Sequence, residues 1–207
     1  MTRREGILIC LPQYAGWCMG KHMMSVVELV RDLERSGVPY DILTGSDSAV
    51  HRNRYYLTEE FMHSGWSHML FIDADIEFTS EDVQKLWNIE ADVAVGVYRL
   101  KRDGSDLAAH TDGKLLQLDE LQAGVIPVDY AGTGFMLITR DVFERIAHEL
   151  PLIQTERGEM RKWWGFDVVD GVELPEDYSF CERVRRNGMQ VMMDTSVVLK
   201  HWGLKGY

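Results

Sequence analysis

The chain has 207 residues, 45% hydrophobic and 27% charged, which fits one α/β domain and leaves little room for a second. Its net charge of −11 repels polyanions on average and argues against a broad nucleic-acid-binding surface. Cys10, Cys18 and Cys181 form no Cys-x-x-Cys pair, which argues against structural zinc and against a disulfide framework.

Taken in chain order, Gly6-Ile7-Leu8-Ile9-Cys10-Leu11 is an unbroken apolar run stopped by Pro12, the pattern of a strand buried on both faces of a parallel sheet. It is too short for the apolar region of a signal peptide. No run approaches the ~18–20 apolar residues of a membrane helix. No transmembrane segment and a cytosolic location are therefore expected. Met23, Val26, Val27, Val30 and Leu33 recur at helical spacing and predict a helix over 21–36, with Gly37 as its C-cap. A strand over 40–43, a helix over 48–64 ended by Gly65 and a buried strand over 69–72 follow. Thr79-Ser80-Glu81-Asp82 is a Thr-x-x-acid start for a short helix, and a strand over 93–97 returns to the sheet. Strand and helix alternate, so a mostly parallel, Rossmann-like sheet flanked by helices is expected, with residues 1–98 as a nucleotide-binding half.

Residues 99–207 read as an acceptor-side half. Strands are predicted over 115–118, 135–139 and 197–199, and helices over 141–149 and 176–187. Residues 151–174 are left as a long irregular segment containing Trp163-Trp164-Gly165-Phe166-Asp167; loops of that length are usually functional or mobile.

The strongest chemical signal is Asp73-Ala74-Asp75, at the carboxyl end of the 69–72 strand, where open α/β sheets bind ligands. Two carboxylates separated by one small residue can grip a hard cation such as Mg²⁺ or Mn²⁺, and without it they would repel a diphosphate. The bland alternative is a pair of turn residues satisfied by backbone N–H groups. Pro175-Glu176-Asp177 opens the 176–187 helix with acids in its first turn. Asp177 shares a stripe with Cys181 and Val184 and so points inward, whereas Glu176 lies off that stripe; an inward Asp177 can serve as general base, or merely cap the helix. His201, after the 197–199 strand, can complete an oxygen-rich metal site, and Lys205 can neutralise a phosphate. Arg52 and Asn53 are candidates for contacting the nucleotide, or lie on a solvated face. Gly132-Thr133-Gly134 lacks the third glycine of a dinucleotide fingerprint and reads as a close-approach turn. Trp163 and Trp164 are candidates for an acceptor platform, or for core packing.

In their order and spacing, Arg52-Asn53, Phe71-Ile72-Asp73-Ala74-Asp75, Gly132-Thr133-Gly134-Phe135, Pro175-Glu176-Asp177 and His201-Trp202-Gly203 resemble the GT-A glycosyltransferases over nearly the whole chain. Compact virus- and phage-type members, such as the small glycosyltransferase domain of a chlorella virus, look most similar. The resemblance implies a GT-A fold and a UDP-sugar donor, with Asp73 toward the nucleotide and Asp75 on a Mn²⁺ or Mg²⁺ ion. It further implies His201 as a late metal ligand, Glu176 and Gly134 near the acceptor, and Asp177 as the base of an inverting transfer. Its tail departs from the His-x-Gly-x-x-Lys-Pro-Trp form of one retaining group, since Lys205 comes one residue early and Pro-Trp is missing.

The expected acceptor is a glycan, or a hydroxymethylated DNA base served by Arg99, Lys101 and Arg102. Two competing readings are a metal-dependent nucleotidyltransferase, for which residues 6–20 lack a glycine-rich phosphate loop, and a non-catalytic nucleotide-sugar-binding module.

Overall fold

In a computed structural model, residues 3–102 and 104–203 are described. The first apolar run forms β1 (Arg4–Gln13), which lies between β2 (Tyr40–Ser46) and β3 (Trp66–Ile72) and is parallel to both. Helices α1 (Gly20–Ser36) and α2 (Val50–Ser64) make the crossovers. Gly37 and Gly65 terminate them at φ 69° and 83°, a left-handed turn in which a side chain is disfavoured. A short β4 (Ile76–Glu77) leads to α3 (Ser80–Asn88), whose Thr79–Asp82 pair forms a reciprocal capping box. Then β5 (Val93–Val97) enters the sheet. Apart from β4, which the sequence did not predict, each of these elements sits within a few residues of its sequence-predicted position.

Beyond β5 the chain makes an excursion through β6 (Asp106–Thr111), β7 (Lys114–Gln117), β8 (Val125–Val128) and β9 (Tyr130–Ala131) before β10 (Phe135–Thr139) enters the sheet between β3 and β5. Because β10 enters at the edge where β3 and β5 end, it must run against them, and it pairs antiparallel with both. The seven-stranded order is β2-β1-β3-β10-β5-β15-β8, where β15 is Val191–Val198. Three of its six neighbouring pairs are parallel and three antiparallel. The mostly parallel sheet expected from alternation is therefore corrected to a mixed one. Phe135-Met136-Leu137-Ile138 is buried on both faces, and such a run carries no mark of its direction.

After β10, α4 (Arg140–Ile146) leads into the segment expected to be irregular. That segment holds two antiparallel hairpins, β11 (Leu152–Thr155) with β12 (Gly158–Arg161) and β13 (Asp167–Val169) with β14 (Val172–Leu174). Helix α5 (Glu176–Arg186) follows, and the described chain closes with β15 and β16 (Lys200–His201). One face of the sheet packs Phe61 of α2, Phe143 of α4 and Phe180 of α5 against Phe71; the other packs α1 and α3 against Ile9, Leu70 and Ile72. Among the described residues no helix is long and apolar enough to cross a membrane.

Candidate active site

The carboxyl ends of β1, β2, β3, β5 and β15 open into one cavity of about 1010 Å³, lined among others by Gln13, Asn53, Asp73, Asp75, Lys101 and His201. At its mouth the chain makes a tight turn after β1, where Tyr14 bridges to Trp17 and both side chains are exposed.

The Asp73-Ala74-Asp75 backbone is held by three other segments. Asp73 N–H donates to the Gly134 carbonyl at 2.9 Å, the Ala74 carbonyl accepts from Met19 N–H at 2.8 Å, and the Asp75 carbonyl accepts from Trp202 N–H at 2.9 Å. With the backbone satisfied in this way, the two carboxylates are not consumed as turn caps. Both bond cationic side chains instead.

Asp73 accepts from Arg54 Nη2 at 2.9 and 3.1 Å, and the same guanidinium donates through Nη1 to Glu176 Oε1 at 2.7 Å. Arg54 is 4% exposed. Its burial opposes the charge, but the carboxylates of Asp73, Glu176 and Asp177 outweigh that and raise its pKa. This planar fork joins β3 to the start of α5, two elements about a hundred residues apart in sequence, and a flexible ammonium cannot make such a bidentate bridge. Glu176 therefore also faces inward, contrary to its expected place off the buried stripe: the first helical turn is broad enough for both acids to look into the interior. Neither Glu176 nor Asp177 lines the main cavity; Arg54 is the link between the two.

The Asp177 carboxyl is strongly perturbed. Burial, then the neighbouring Glu176 charge, push it up to about 6 against the opposing pull of Arg54. Tyr98 lies close by: it is buried, and its pKa is driven well above the ordinary phenol value by burial and then by the charges of Asp73 and Asp177. Gly134 N–H donates to its hydroxyl at 2.9 Å. A Cβ on Gly132 would sit 2.2 Å from that oxygen, and one on Gly134 2.8 Å from it, so the two glycines are what allow Tyr98 to reach the β3 edge. The N–H of Gly134, a candidate acceptor contact, is thus already engaged.

On the other side of the turn, β16 pairs with β4 and sets His201 opposite Ile76. His201 Nδ1 lies 2.8 Å from the Arg99 carbonyl oxygen, which can only accept; Nδ1 therefore carries a hydrogen, and Nε2 is turned to Asp75 Oδ1, 3.5 Å away. Lys101 Nζ donates to the other oxygen, Oδ2. Burial alone would raise the Asp75 carboxyl, but His201 and Lys101 prevail and hold it down at about 2. Oδ1 is buried without a hydrogen-bond partner among the described residues. An orphaned carboxylate oxygen facing an imidazole nitrogen is a donor set that suits Mn²⁺ or Mg²⁺. Among the described residues no cluster of three or more His, Cys, Asp or Glu could hold a metal.

The other candidates divide. Arg52 turns away to Asp47, with bonds of 2.7 and 2.6 Å. Asn53 is buried in the cavity wall, where its amide donates to the Gly45 carbonyl at 2.9 Å and ties the ends of β1 and β2. Trp163 and Trp164, 3% and 0% exposed, cannot form an open acceptor platform, and that expectation is corrected. Trp164 stacks on Phe180 of α5 at 4.4 Å, meets Phe71 of β3 edge-on at 5.4 Å and donates to Thr58 of α2 at 2.8 Å. It locks together the three elements that carry Asp177, Asp73 and Arg54. Lys205 lies outside the described residues.

Arg54 was missed because its neighbour Asn53 drew the motif reading. The signal was present: Arg54, Leu57, Thr58 and Phe61 are spaced i, i+3, i+4 and i+7 and all buried, so a cation on that stripe needs carboxylates opposite it.

Neither a family model nor a curated protein matches this chain. Solved structures do. The A197 protein from STIV aligns at 17% identity and a TM-score of 0.59, over 96% of this chain and 86% of that one. A Drosophila β-1,4-galactosyltransferase 7 mutant in complex with manganese, UDP-Gal and xylobiose aligns at 14% identity and TM-score 0.53, over 96% and 71%. GalNAc-T7 with UDP, GalNAc and Mn²⁺ aligns at 10% identity and TM-score 0.59, over 98% of this chain and 45% of the longer protein. The chain has the fold of the GT-A glycosyltransferases, built here on a mixed central sheet.

Proposed function

We propose that the chain is a metal-dependent glycosyltransferase that moves a sugar from a UDP-type donor to a glycan hydroxyl with inversion at the anomeric carbon. The observation that carries this reading is the Arg54 bridge. It makes Asp73, on the nucleotide side, and Glu176-Asp177, on the acceptor side, parts of one electrostatic unit. Two of the similar structures contain UDP or a UDP-sugar together with manganese, in keeping with a diphosphate donor here.

In this reading the cavity takes the nucleotide, with the exposed faces of Tyr14 and Trp17 offered to its base. Asp73 meets the nucleotide, and Asp75 with His201 holds Mn²⁺ or Mg²⁺. Bound there, the cation offsets negative charge on the leaving diphosphate. Asp177 removes the proton of the acceptor hydroxyl. The freed oxygen pair attacks the anomeric carbon from the face opposite the diphosphate, and the bond to the diphosphate breaks with its electrons. Glu176 orients the acceptor and is itself oriented by Arg54.

A glycan is favoured over hydroxymethylated DNA because two of the three cations of the local basic patch are already paired: Lys101 sits on Asp75 and Arg102 on Asp106. The test is to incubate the protein with Mn²⁺, a panel of nucleotide-sugars and either glycan or hydroxymethylated-DNA acceptors. UDP release stimulated by a glycan is expected. Stimulation by the DNA alone would overturn the acceptor assignment, and donor binding without UDP release on any acceptor would make the chain a binding module.

A further inference from the structure

We propose that Lys101 is an exchangeable counter-ion of this site, seated on Asp75 while the cavity is empty and handed to the donor's diphosphate when nucleotide and cation arrive. The inference rests on the metal and donor reading above. Its basis is an asymmetry between the two cations of the Asp73-Ala74-Asp75 turn. Arg54 is 4% exposed and fixed by two carboxylates, whereas the Lys101 side chain is 43% exposed and, among the described residues, pairs with a single carboxylate, Asp75.

The ammonium occupies Asp75 Oδ2, while Oδ1 faces His201 Nε2 at 3.5 Å and has no hydrogen-bond partner among the described residues. A divalent ion bound by Asp75 and His201 would find a positive charge already on the carboxylate. Like charges at such a separation repel strongly in a half-buried site. Lys101 has somewhere to go, since it lines the same cavity as Asp73, Gln13 and Asn53. Its stem runs past Gly203, where an added Cβ would only touch it at 3.5 Å. An ammonium on a flexible four-carbon stem is suited to such a move.

The consequence is coupling. Cation alone must displace Lys101 from Asp75; cation with nucleotide supplies phosphate oxygens as its new partners. Each ligand therefore strengthens the other by the same factor.

Lys101→Met removes the charge and keeps the length of the stem. Mn²⁺ binding is measured by the loss of the free-ion paramagnetic resonance signal, with and without UDP. The variant is expected to bind Mn²⁺ about tenfold more tightly without nucleotide, and UDP should strengthen its Mn²⁺ binding less than it does in the wild type. Lys101→Arg, which keeps the charge, should stay weak toward Mn²⁺ alone. Unchanged or weaker nucleotide-free binding in Lys101→Met would overturn the counter-ion role while leaving the donor reading intact. If the wild type took up no Mn²⁺ even with UDP, the donor reading itself would fall, and this inference with it.

Discussion

Replacing Asp177 by Asn is expected to lower sugar transfer by about 10²–10⁴-fold, the range typical of losing a positioned general base, with Mn²⁺-dependent UDP binding unchanged. The substitution preserves shape, and the amide oxygen can still accept from Tyr178 N–H as the carboxylate does at 2.9 Å. What disappears is the ability to take a proton. In the wild type the carboxyl is held up at about 6, so turnover should rise with pH as Asp177 ionises through that value. Steady-state rates between pH 5 and 8 would show this, and Asp177→Asn should lose that limb of the profile. Unchanged turnover would remove Asp177 from the base role.

Stability should move the other way. A carboxyl whose folded pKa lies above its unfolded value of 3.8 binds more protons in the folded state. Its contribution to stability is therefore lost as pH rises from about 4 to 6. Asp177→Asn avoids ionising a buried acid beside Glu176 and should stabilise the fold at pH 8 by about 1 kcal/mol, part of the gain being offset by the lost attraction to the helix N-terminus. A variant that is inactive yet slightly more stable would separate catalysis from folding.

Removing Arg54 should have the largest effect on stability. Arg54→Met leaves Asp73 and Glu176 without the guanidinium that bonds both, and breaking a buried ion pair from one side costs about 3–5 kcal/mol. The loss should be greater at pH 8 than at pH 5, because Arg54 also offsets the charge of Asp177, whose carboxyl, held up at about 6, is protonated at pH 5 and ionised beside Glu176 at pH 8. Arg54→Lys should recover only part of it, since one ammonium cannot make the two-sided fork. Urea unfolding at both pH values provides the check, and a loss under 1 kcal/mol at pH 8 would show that the bridge does not hold the two halves together.

Legibility in the sequence followed the range of the interactions. Buried strands such as Met69–Ile72, and helices ended by glycine at Gly37 and Gly65, announce themselves through local pattern. The direction of β10 does not, because it is set by a connection of some forty residues. The hairpins of 152–174 carry little apolar alternation, and residues such as Leu152, Val168 and Val172 face solvent, so no burial signal marked them. Within the site, Asp73, Asp75, Asp177 and His201 could be nominated by residue type and by their places at element ends. Arg54, Tyr98 and Lys101 acquire meaning only through contacts 19 to 122 residues distant. Trp163 and Trp164 show the opposite error: aromatic residues in an apparent loop were core residues, because the loop folds over α2 and α5.

The central claim is that Asp75 and His201 hold a divalent cation through which a nucleoside diphosphate binds. Isothermal titration of UDP into the protein, with and without Mn²⁺, and into Asp75→Asn under the same conditions, tests it most directly. The account predicts UDP binding strengthened at least tenfold by Mn²⁺ in the wild type, a loss of that gain in Asp75→Asn, and no comparable gain with AMP, which lacks the diphosphate. UDP affinity indifferent to Mn²⁺, or a gain retained by Asp75→Asn, would contradict it.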